Sequence, residues 1–279
     1  MALISEYRNT HFQLCHAVDE PPRREDYEMH MHDGYEIYCF VSGNAYYTVE
    51  GTRYELTPGS LLLMRNSESH MLVPGGSERY ERYTLNFRRE LFDGTGLARA
   101  LLRPFHDRAL GECNLYQPQE LFGLDPIALF HKMEYEMSHL PARDVMLANL
   151  STALCALGVA FRKKSTAPRP PVNRMGEEMI RYVNEHILGE IDVAHLADHV
   201  HLSPSQTGRI FKEVTGASVY HYILLKRLIL ARERIAAGES AKSAALSCGF
   251  GDYSAFYRLY RKHLGESPSG KRRRVTNET

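Results

Sequence analysis

The sequence predicts a two-domain α+β protein with a β-rich N-terminal domain and an all-helical C-terminal domain. Short runs of Tyr, Val and Leu, separated by Gly, Pro and Ser, fill residues 10–87. From about residue 94 the apolar residues follow a helical period instead. The proline-rich stretch KKSTAPRPPV at 163–172 then separates a second helical region, because closely spaced prolines cannot continue a helix.

Chain length and this stretch set the predicted domain boundaries. A chain of 279 residues fits two cores of ordinary size. We expect a first domain over 1–163, a linker over 164–172 and a second domain over 173–279.

Composition argues against a membrane or secreted protein. No apolar run approaches the roughly 18 residues that span a bilayer, and the N-terminus lacks the basic and apolar blocks of a signal peptide. The five cysteines are scattered and include no C-x-x-C pair, a pattern that suits reduced thiols. The sequence therefore predicts a cytoplasmic protein without a membrane partner.

The net charge of zero hides an asymmetry between the two halves. Residues 172–279 hold 16 Lys+Arg against 12 Asp+Glu, a balance of +4. Residues 1–171 hold the remaining 18 against 22, a balance of −4. A basic half joined to an acidic half hints at a polyanion-binding module carried by another domain.

The first domain begins with a series of short predicted strands. They are EIYCFVSG, AYYTVEG, SLLLM and RYTLNF, and a further strand in GTRYELTPGS ends at the turn pair Pro58-Gly59. Many short strands at this spacing are typical of a β-barrel or a β-sandwich.

A long amphipathic helix is predicted at the end of the first domain. In MLANLSTALCALGVAF, apolar residues advance by 3, 4, 3 and 4 at Leu147, Leu150, Leu154, Leu157 and Phe161. This spacing is that of a coiled-coil seam over two heptads. It fits either a homodimer through helix 142–163 or a helix packed on its own barrel.

The second domain contains an internal repeat with a shift of 49 residues. The matched positions are Ser205, Arg209, Phe211, Lys212, Gly216 and Ser218 in the first copy and Ser254, Arg258, Tyr260, Arg261, Gly265 and Ser267 in the second. A short helical segment precedes each copy. Two short helices joined by a turn are the plan of a helix-turn-helix unit, so the sequence predicts two such units.

Local residues mark where the second helix of each unit begins and ends. Ser203 and Gln206 form a capping box at the first, and Asp252 caps the second. Gly216 and Gly265 suit the left-handed conformation that closes a helix. The side chains left toward the open face are Ser205, Gln206 and Arg209 in the first helix and Tyr253, Ser254, Tyr257 and Arg258 in the second.

A connecting helix between the copies suggests double-stranded DNA as the partner. SVYHYILLKRLILARERIAAG predicts a helix of about 20 residues, about 30 Å long, and one DNA turn is about 34 Å. Two recognition helices at this spacing fit successive major grooves. Arg209 and Arg258 would then read guanine edges, while Lys212, Arg261 and the KRRR run approach phosphates. The alternative is that Arg209 and Arg258 pair with carboxylates of their own domain.

The second domain resembles the DNA-binding domain of the AraC/XylS family of bacterial transcription regulators. The segments LSPSQTGRIFKEVTGASVYHYI and GFGDYSAFYRLYRKHLGESPS carry the resemblance, which spans about residues 174–274. It implies recognition helices near 204–214 and 252–263. It also implies base-contacting roles for Ser205, Gln206, Arg209, Tyr253, Ser254 and Arg258. Gly208 departs from the pattern, since many members carry a polar side chain there.

The first domain resembles the cupin-like sensor domain of the same family over about residues 10–90. HMHDGYEIYCFVSG follows the cupin pattern of H-x-H, three residues, E, six residues, G, and a looser second segment supplies His70. Together His30, His32, Glu36 and His70 offer three imidazoles and one carboxylate. This set suits Zn, Fe, Ni or Mn.

Three interpretations of these four residues stay open. They bind a small polar, sugar-like effector in a metal-free barrel, they bind a divalent transition metal, or they form a hydrogen-bonded scaffold. We favour the effector pocket, with no required cofactor. Companions to the four are Tyr38, Arg65, Tyr83 and Asn86, although strand alternation alone does not show which of them point inward.

The resemblance implies an effector-responsive transcription regulator rather than an enzyme. Effector binding would alter how the first domain acts on the DNA-binding domain, and so change promoter binding or recruitment of RNA polymerase. The alternative is a metal-dependent cupin enzyme or a metal-sensing regulator that uses His30, His32, Glu36 and His70. Against an enzyme, two capped and matched helix-turn-helix units would serve no catalytic purpose.

Overall fold

The computed structural model describes residues 2–32, 34–164 and 174–268. The chain divides into two compact units: the first comprises Met1–Glu177 and Val214–Gly216, and the second comprises Glu178–Glu213 and Ala217–Thr279. Of the predicted linker 164–172, only Lys164 lies among the described residues, as the last residue of a helix. The KRRR run lies outside them.

The first unit is built from nine strands in its described part, which form two sheets. The strands are β1 (Ala2–Arg8), β2 (Phe12–Asp19), β3 (Tyr35–Ser42), β4 (Ala45–Val49), β5 (Thr52–Glu55), β6 (Leu61–Met64), β7 (His70–Pro74), β8 (Tyr80–Phe87) and β9 (Leu115–Tyr116). One sheet has the order β1-β2-β8-β3-β6-β9 and the other β5-β4-β7. All named pairings are antiparallel. The five predicted strands are confirmed as β3, β4, β5, β6 and β8, and β1, β2, β7 and β9 are additional.

Four α-helices lie wholly within the described part of the first unit. They are α1 (Ala98–Leu101), α2 (Arg103–His106), α3 (Pro126–Met137) and α4 (Ala142–Lys164). Strand alternation gives the large sheet two apolar faces. Tyr38 and Phe40 on β3 face Tyr47 and Leu72 of the small sheet, whereas Ile37 and its neighbours on the opposite face pack with the helices.

Helix α4 packs on its own domain through the predicted seam. Leu150, Leu154, Leu157 and Phe161 are buried in the core between the helices and the large sheet. The prediction of a dimer contact through this seam is therefore wrong, and the alternative of a helix packed on its own barrel is right. The same spacing serves both structures because a helix needs one apolar stripe in either case.

The length of α4 also bears on the question of a membrane. By length and composition alone it is apolar enough to cross a bilayer, which the search for apolar runs in the sequence did not recognise. Half of its most apolar stretch is buried inside the unit. This is the arrangement of a core helix in a globular domain.

The described part of the second unit is helical. Its helices are α5 (Arg174–Glu185), which begins just before the unit, α6 (Val193–His199), α7 (Pro204–Thr215), α8 (Val219–Ala236), α9 (Ala241–Ser247) and α10 (Tyr253–Leu264). The pairs α6–α7 and α9–α10 are the two predicted helix-turn-helix units. The predicted connector corresponds to α8, whose apolar residues Leu228 and Ile229 are buried.

Side-chain caps define the ends of the two recognition helices. Ser203 Oγ accepts a hydrogen bond from the Gln206 backbone N–H at 3.3 Å, and Gln206 Oε1 accepts one from the Ser203 N–H at 3.3 Å. Asp252 accepts hydrogen bonds from the backbone N–H groups of Ser254 and Ala255. Gly265 ends α10 with a φ of 70°. The predicted caps of both helices are confirmed.

Candidate functional site

Four predicted ligand side chains meet at one end of the β-barrel. His30 lies in the segment before β3 and forms two backbone hydrogen bonds, of 3.0 and 3.1 Å, with His70 at the start of β7. The ring centroids of His30, His32 and His70 lie 4.4 to 4.9 Å apart. One potential ligand atom from each of these rings and from Glu36 lies within 4.8 Å of the others. We call these four residues the barrel cluster.

Backbone carbonyls orient two of the imidazoles. His30 Nδ1 lies 2.8 Å from the carbonyl oxygen of Glu28, and His70 Nδ1 lies 2.8 Å from that of Glu68. A carbonyl only accepts, so each Nδ1 donates to this contact, and Nε2 is the ring nitrogen left for other partners. His70 Nε2 has no hydrogen-bond partner in the described residues.

Glu36 is the acidic member of the barrel cluster and is buried. Its Oε2 lies 2.5 Å from His32 Nε2 and 3.4 Å from His70 Nε2, but no contact of Oε2 has hydrogen-bond geometry in the described part of the chain. Burial raises the pKa of Glu36, yet the His32 ring outweighs it and holds the pKa well below its usual range. Because Glu36 is ionised, the barrel cluster attracts cations and hydrogen-bond donors.

Neighbouring charges shift the two histidines of the H-x-H pair in opposite directions. Desolvation by the surrounding protein atoms lowers the pKa of His30 most, and the His70 and His32 rings lower it further. Desolvation also lowers the pKa of His32, but the Glu36 carboxylate outweighs this effect and the pKa of His32 rises. The His30 side chain reaches the surface, so solvent screens part of its shift.

Further polar groups line the interior face beside the barrel cluster. Asn86 on β8 lies opposite Glu36 in the register, and Tyr38 follows two residues later on the same face of β3. The buried atoms Tyr38 Oη, Tyr80 Oη and Asn86 Oδ1 have no hydrogen-bond partner among the described residues. A buried unpartnered polar atom is costly, and such atoms gathered on one face are typical of a ligand pocket.

An ion pair adjoins this face and was not predicted. Arg82 Nη1 donates to Asp19 Oδ2 at 2.8 Å, and Tyr27 donates to the same oxygen. Arg82 lies between Tyr80 and Thr84 on β8. The residues around it in the sequence do not show that its side chain points into the barrel. Only the phase of strand β8, set by Asn86 opposite Glu36, would have placed Arg82 in the interior.

Two of the predicted companions lie elsewhere. Tyr83 is on the opposite face of β8, where it stacks on His16 and Phe130 and donates to Glu134 at 2.7 Å. Arg65 donates to backbone carbonyls of residues 105, 106 and 108. Assigning Tyr83 to the effector pocket is therefore wrong, because adjacent residues of a strand point to opposite faces.

The predicted DNA-contacting side chains all lie on α7 and α10. Those that are exposed are Ser205, Gln206, Arg209, Lys212, Ser254, Arg258 and Arg261, and Tyr253 and Tyr257 are half-buried. The apolar sides of the two helices are anchored by Phe211 in α7 and by Phe256 and Tyr260 in α10, all buried. Each helix therefore presents a polar face to solvent.

The two matched arginines are available to a ligand. In the described part of the chain, no carboxylate pairs with Arg209 or Arg258. The alternative of internal ion pairs is thus not supported. By contrast Arg227 on α8 is committed to the fold, since it donates to the carbonyls of Ile187, Gly189 and Gly249.

Two family models match this chain, one in each half. An AraC-like ligand-binding domain matches residues 17–123 and a helix-turn-helix domain matches residues 196–274. The first model covers strands β3 to β9 with the barrel cluster, and the second covers both recognition helices.

Curated relatives align over most of the chain. The HTH-type transcriptional activator RhaS of Escherichia fergusonii is 26% identical over 246 residues, covering 86% of this chain and 85% of RhaS. RhaS of Shigella flexneri is 25% identical over 281 residues, covering 92% of both chains. Among solved structures, ToxT of Vibrio cholerae O395 bound to (E)-4-(8-methylnaphthalen-1-yl)but-3-enoic acid is 14% identical. It covers 93% of this chain and 97% of its own, with a TM-score of 0.44.

The two family models agree with the two-domain organisation and with a helix-turn-helix region that contains both recognition helices. The matches are to transcription regulators, so the alternative of a cupin enzyme is not retained. The chain belongs to the AraC family: it is a DNA-binding transcription regulator with an N-terminal, cupin-like ligand-binding domain that responds to an effector.

Proposed function

We propose that this regulator responds to a small polar, sugar-like effector held in the barrel by His30, His32, Glu36, His70 and Tyr38. One observation carries the proposal: buried polar atoms on the interior face lack hydrogen-bond partners in the described residues. Leaving such an atom unpaired costs about 1–3 kcal/mol. A ligand with several hydroxyl groups would supply these bonds in one binding event.

The chemistry of the lining favours hydroxyl groups over an apolar effector. The ionised Glu36 carboxylate accepts hydrogen bonds, Asn86 Oδ1 accepts, and Tyr38 Oη both donates and accepts. Hydroxyl groups match both roles. Tyr38 and Tyr47, with ring centroids 4.9 Å apart, add aromatic faces that suit the apolar side of a sugar ring.

Effector binding would act on transcription by shifting a conformational equilibrium. The effector must bind one conformation of the protein more tightly than another, or it changes nothing. In the favoured conformation α7 and α10 would bind promoter DNA, or the bound protein would recruit RNA polymerase. Arg209 and Arg258 would read guanine edges, while Lys212 and Arg261 contact phosphates.

The remaining base-contacting roles follow from position. Ser205 and Gln206 lie in the first turn of α7, and Tyr253 and Ser254 lie in the first turn of α10. Residues in the first turns of a recognition helix reach base edges in the major groove. We assign base contacts to these four side chains and a supporting contact to Tyr257.

We also propose a homodimer, formed by the exposed side of α4 rather than by its buried seam. Ala148, Thr152, Cys155 and Val159 are exposed and advance by 4, 3 and 4. This is heptad spacing on the face opposite the core. Half of the most apolar stretch of α4 is not buried within the unit, so a second copy would remove that apolar surface from water.

A divalent transition metal in the barrel cluster is the second candidate. Its donors fit: backbone carbonyls accept from Nδ1 of His30 and His70, which leaves Nε2 of each ring as the nitrogen for a metal, the arrangement of metal-bound histidines. Glu36 and His32 would complete the set. A bound metal would supply a Lewis-acid centre for an effector's oxygen atoms, and the protein would then be a metal-sensing regulator.

Two experiments test these candidates. In a thermal-shift screen of sugars and sugar acids, an effector should raise the melting temperature of the wild type and lose this effect with Tyr38→Phe and Glu36→Gln. Elemental analysis of untagged protein tests the second candidate. About one transition metal per chain, lost in His30→Ala, His32→Ala, would favour a metal in the barrel cluster. A screen in which no polar compound binds would contradict the effector proposal.

The proposal also covers the cellular compartment of the protein and the roles of its two domains. As a DNA-binding regulator it would act in the cytoplasm, with 1–163 as sensor and dimerisation domain and 173–279 as DNA-binding domain. The family comprises soluble DNA-binding proteins. Reduced cysteines suit this compartment, since none of the five forms a disulfide in the structure.

A further inference from the structure

A second group of histidines and carboxylates lies on the other face of the large sheet. His16 is on β2 and Glu81 on β8, while His131 and Glu134 come from α3, three residues apart. Tyr83, which stacks on His16 with ring centroids 4.0 Å apart, belongs to the same face. We call His16, Glu81, His131 and Glu134 the outer cluster. It is separate from the barrel cluster because β8 presents its even-numbered residues to the interior.

Three of these side chains converge. One potential ligand atom each of His16, Glu81 and His131 lies within 4.8 Å of the others. His16 Nε2 lies 2.8 Å from Glu81 Oε1, and His16 is only 6% exposed. His131 is exposed, and in the described part of the chain its ring makes only ring contacts, with His16 and Tyr83. A His131 nitrogen is therefore available as a ligand.

Neighbouring groups hold two of the ligands in place. His16 Nδ1 lies 3.2 Å from Glu134 Oε2, which also accepts the Tyr83 hydroxyl at 2.7 Å. Arg79 Nη2 lies 3.0 Å from Glu81 Oε2 and leaves Oε1 directed at His16. In metal sites, the imidazole nitrogen that does not bind the metal commonly donates a hydrogen bond to a carboxylate.

We propose that His16 Nε2, the Glu81 carboxylate and His131 form a second transition-metal site, with Glu134 as the residue that positions His16. Two imidazoles and one carboxylate are the donor set of open zinc sites and of non-haem ferrous sites. Zinc binds nitrogen and carboxylate oxygen at about 2.0–2.2 Å. The three ligand atoms are close enough to reach these distances by rotation of side chains.

The charge balance is consistent with this site. His16 Nδ1 lies against Glu134, so a proton on that nitrogen would stay on this contact while Nε2 binds the metal. The +2 ion at Nε2 would lie beside the Glu81 carboxylate, with Glu134 on the far side of the ring, so both acidic side chains favour a bound cation.

The site would join α3 to β2 and β8. Each of these elements supplies one ligand, so the bound ion links the helix to the sheet. A ligand that binds only the folded form stabilises it in proportion to its concentration. The expected consequence is a zinc-dependent rise in the unfolding temperature of the sensor domain.

The test uses full-length protein in which the barrel cluster has been disabled by His30→Ala, His32→Ala. After dialysis against a chelator, this background is titrated with Zn²⁺ in competition with a chromophoric zinc indicator. We expect about one Zn²⁺ per chain, and a loss of at least tenfold in affinity on adding His131→Ala. His139→Ala is the matched control, because His139 is exposed just beyond the same helix.

Each outcome decides the proposal. Since His131 is exposed, its variant should unfold at the same temperature as the background when zinc is absent, and Glu81→Gln provides a second, near-isosteric variant. No zinc bound to the background, or equal affinity with and without His131, would overturn the site. So would an equal loss in the His139 control. Failure here leaves the effector proposal for the barrel cluster intact.

Discussion

His70 Nε2 lies 3.4 Å from the buried Glu36 Oε2, which lies closer to His32 Nε2, at 2.5 Å, and neither contact has hydrogen-bond geometry in the described residues. In a core that evolved only for packing, such a pair would be closed by a proper hydrogen bond or replaced by apolar groups. Here it adjoins the unpartnered atoms of Tyr38 and Asn86. These atoms support the proposal of a polar effector in the barrel.

Removing an unpartnered hydroxyl should not destabilise the effector-free protein. Tyr38→Phe and Tyr80→Phe each delete a buried oxygen without a hydrogen bond, so we expect unchanged or slightly higher stability in urea unfolding, by up to about 1 kcal/mol. The matched control is Tyr83→Phe, whose hydroxyl donates to Glu134 at 2.7 Å, and it should cost about 1–2 kcal/mol. A loss above about 1 kcal/mol in Tyr38→Phe would show that its hydroxyl has a partner.

Stability should depend on pH through Asp19. Burial raises the pKa of Asp19, but hydrogen bonds from Tyr27 and Arg82 outweigh burial and hold the pKa below its usual 3.8. A carboxyl with a depressed folded-state pKa stabilises the protein above its unfolded pKa. That stability is lost as the pH falls through the folded-state pKa. The acid loss should therefore lie below about pH 4.

Asp19→Asn isolates this contribution. It removes the carboxylate that pairs with the buried Arg82, so we expect a loss of about 3 kcal/mol at neutral pH. The variant should also lose less further stability than the wild type between about pH 5 and pH 2. Urea unfolding at each pH measures this loss. If the free energy of unfolding changed with pH by the same amount in both proteins, the assignment would be contradicted.

Phosphate contacts should appear in the salt dependence of DNA binding. Lys212→Ala and Arg261→Ala remove exposed cations from α7 and α10. Each should weaken binding to all DNA sequences alike and reduce the slope of log K against log salt by about 1. Fluorescence anisotropy over a range of salt concentrations measures the slope. An unchanged slope would remove that residue from the phosphate contacts.

The outer face of α4 should control the oligomeric state. Cys155→Glu with Val159→Glu places two charges on the exposed stripe, and we expect a folded monomer in sedimentation velocity. Leu140→Glu, an exposed apolar site before α4, is the control and should remain a dimer. Leu150→Glu with Leu154→Glu should unfold the domain instead, because both side chains are buried. A dimer that survives the first pair would exclude this face.

Local chemistry made the helical half of the fold predictable. Ser203 with Gln206, and Asp252 before α10, cap helices through contacts within four residues of the chain. Such short-range signals need no knowledge of the tertiary structure. The H-x-H pair and Glu36 were also predicted from local sequence, because the cupin pattern fixes the spacing between them.

Features that depend on distant partners were not predictable. Tyr83 was assigned to the wrong face of β8, since a strand's alternation fixes its period but not its phase. The seam of α4 was ambiguous because a core and a partner helix demand the same apolar stripe. The Asp19–Arg82 pair spans 63 residues of sequence, and no local pattern links its members.

The central claim, DNA reading by two matched helices, is tested most directly by selecting binding sites from random duplex DNA. Wild-type protein should enrich two motifs with centres about 10 base pairs apart. Arg209→Ala should relax one motif and Arg258→Ala the other, each at a cost of about 1–3 kcal/mol, whereas the exposed Arg181→Ala should leave both unchanged. Enrichment of a single motif, or two motifs unaffected by either arginine, would contradict the account.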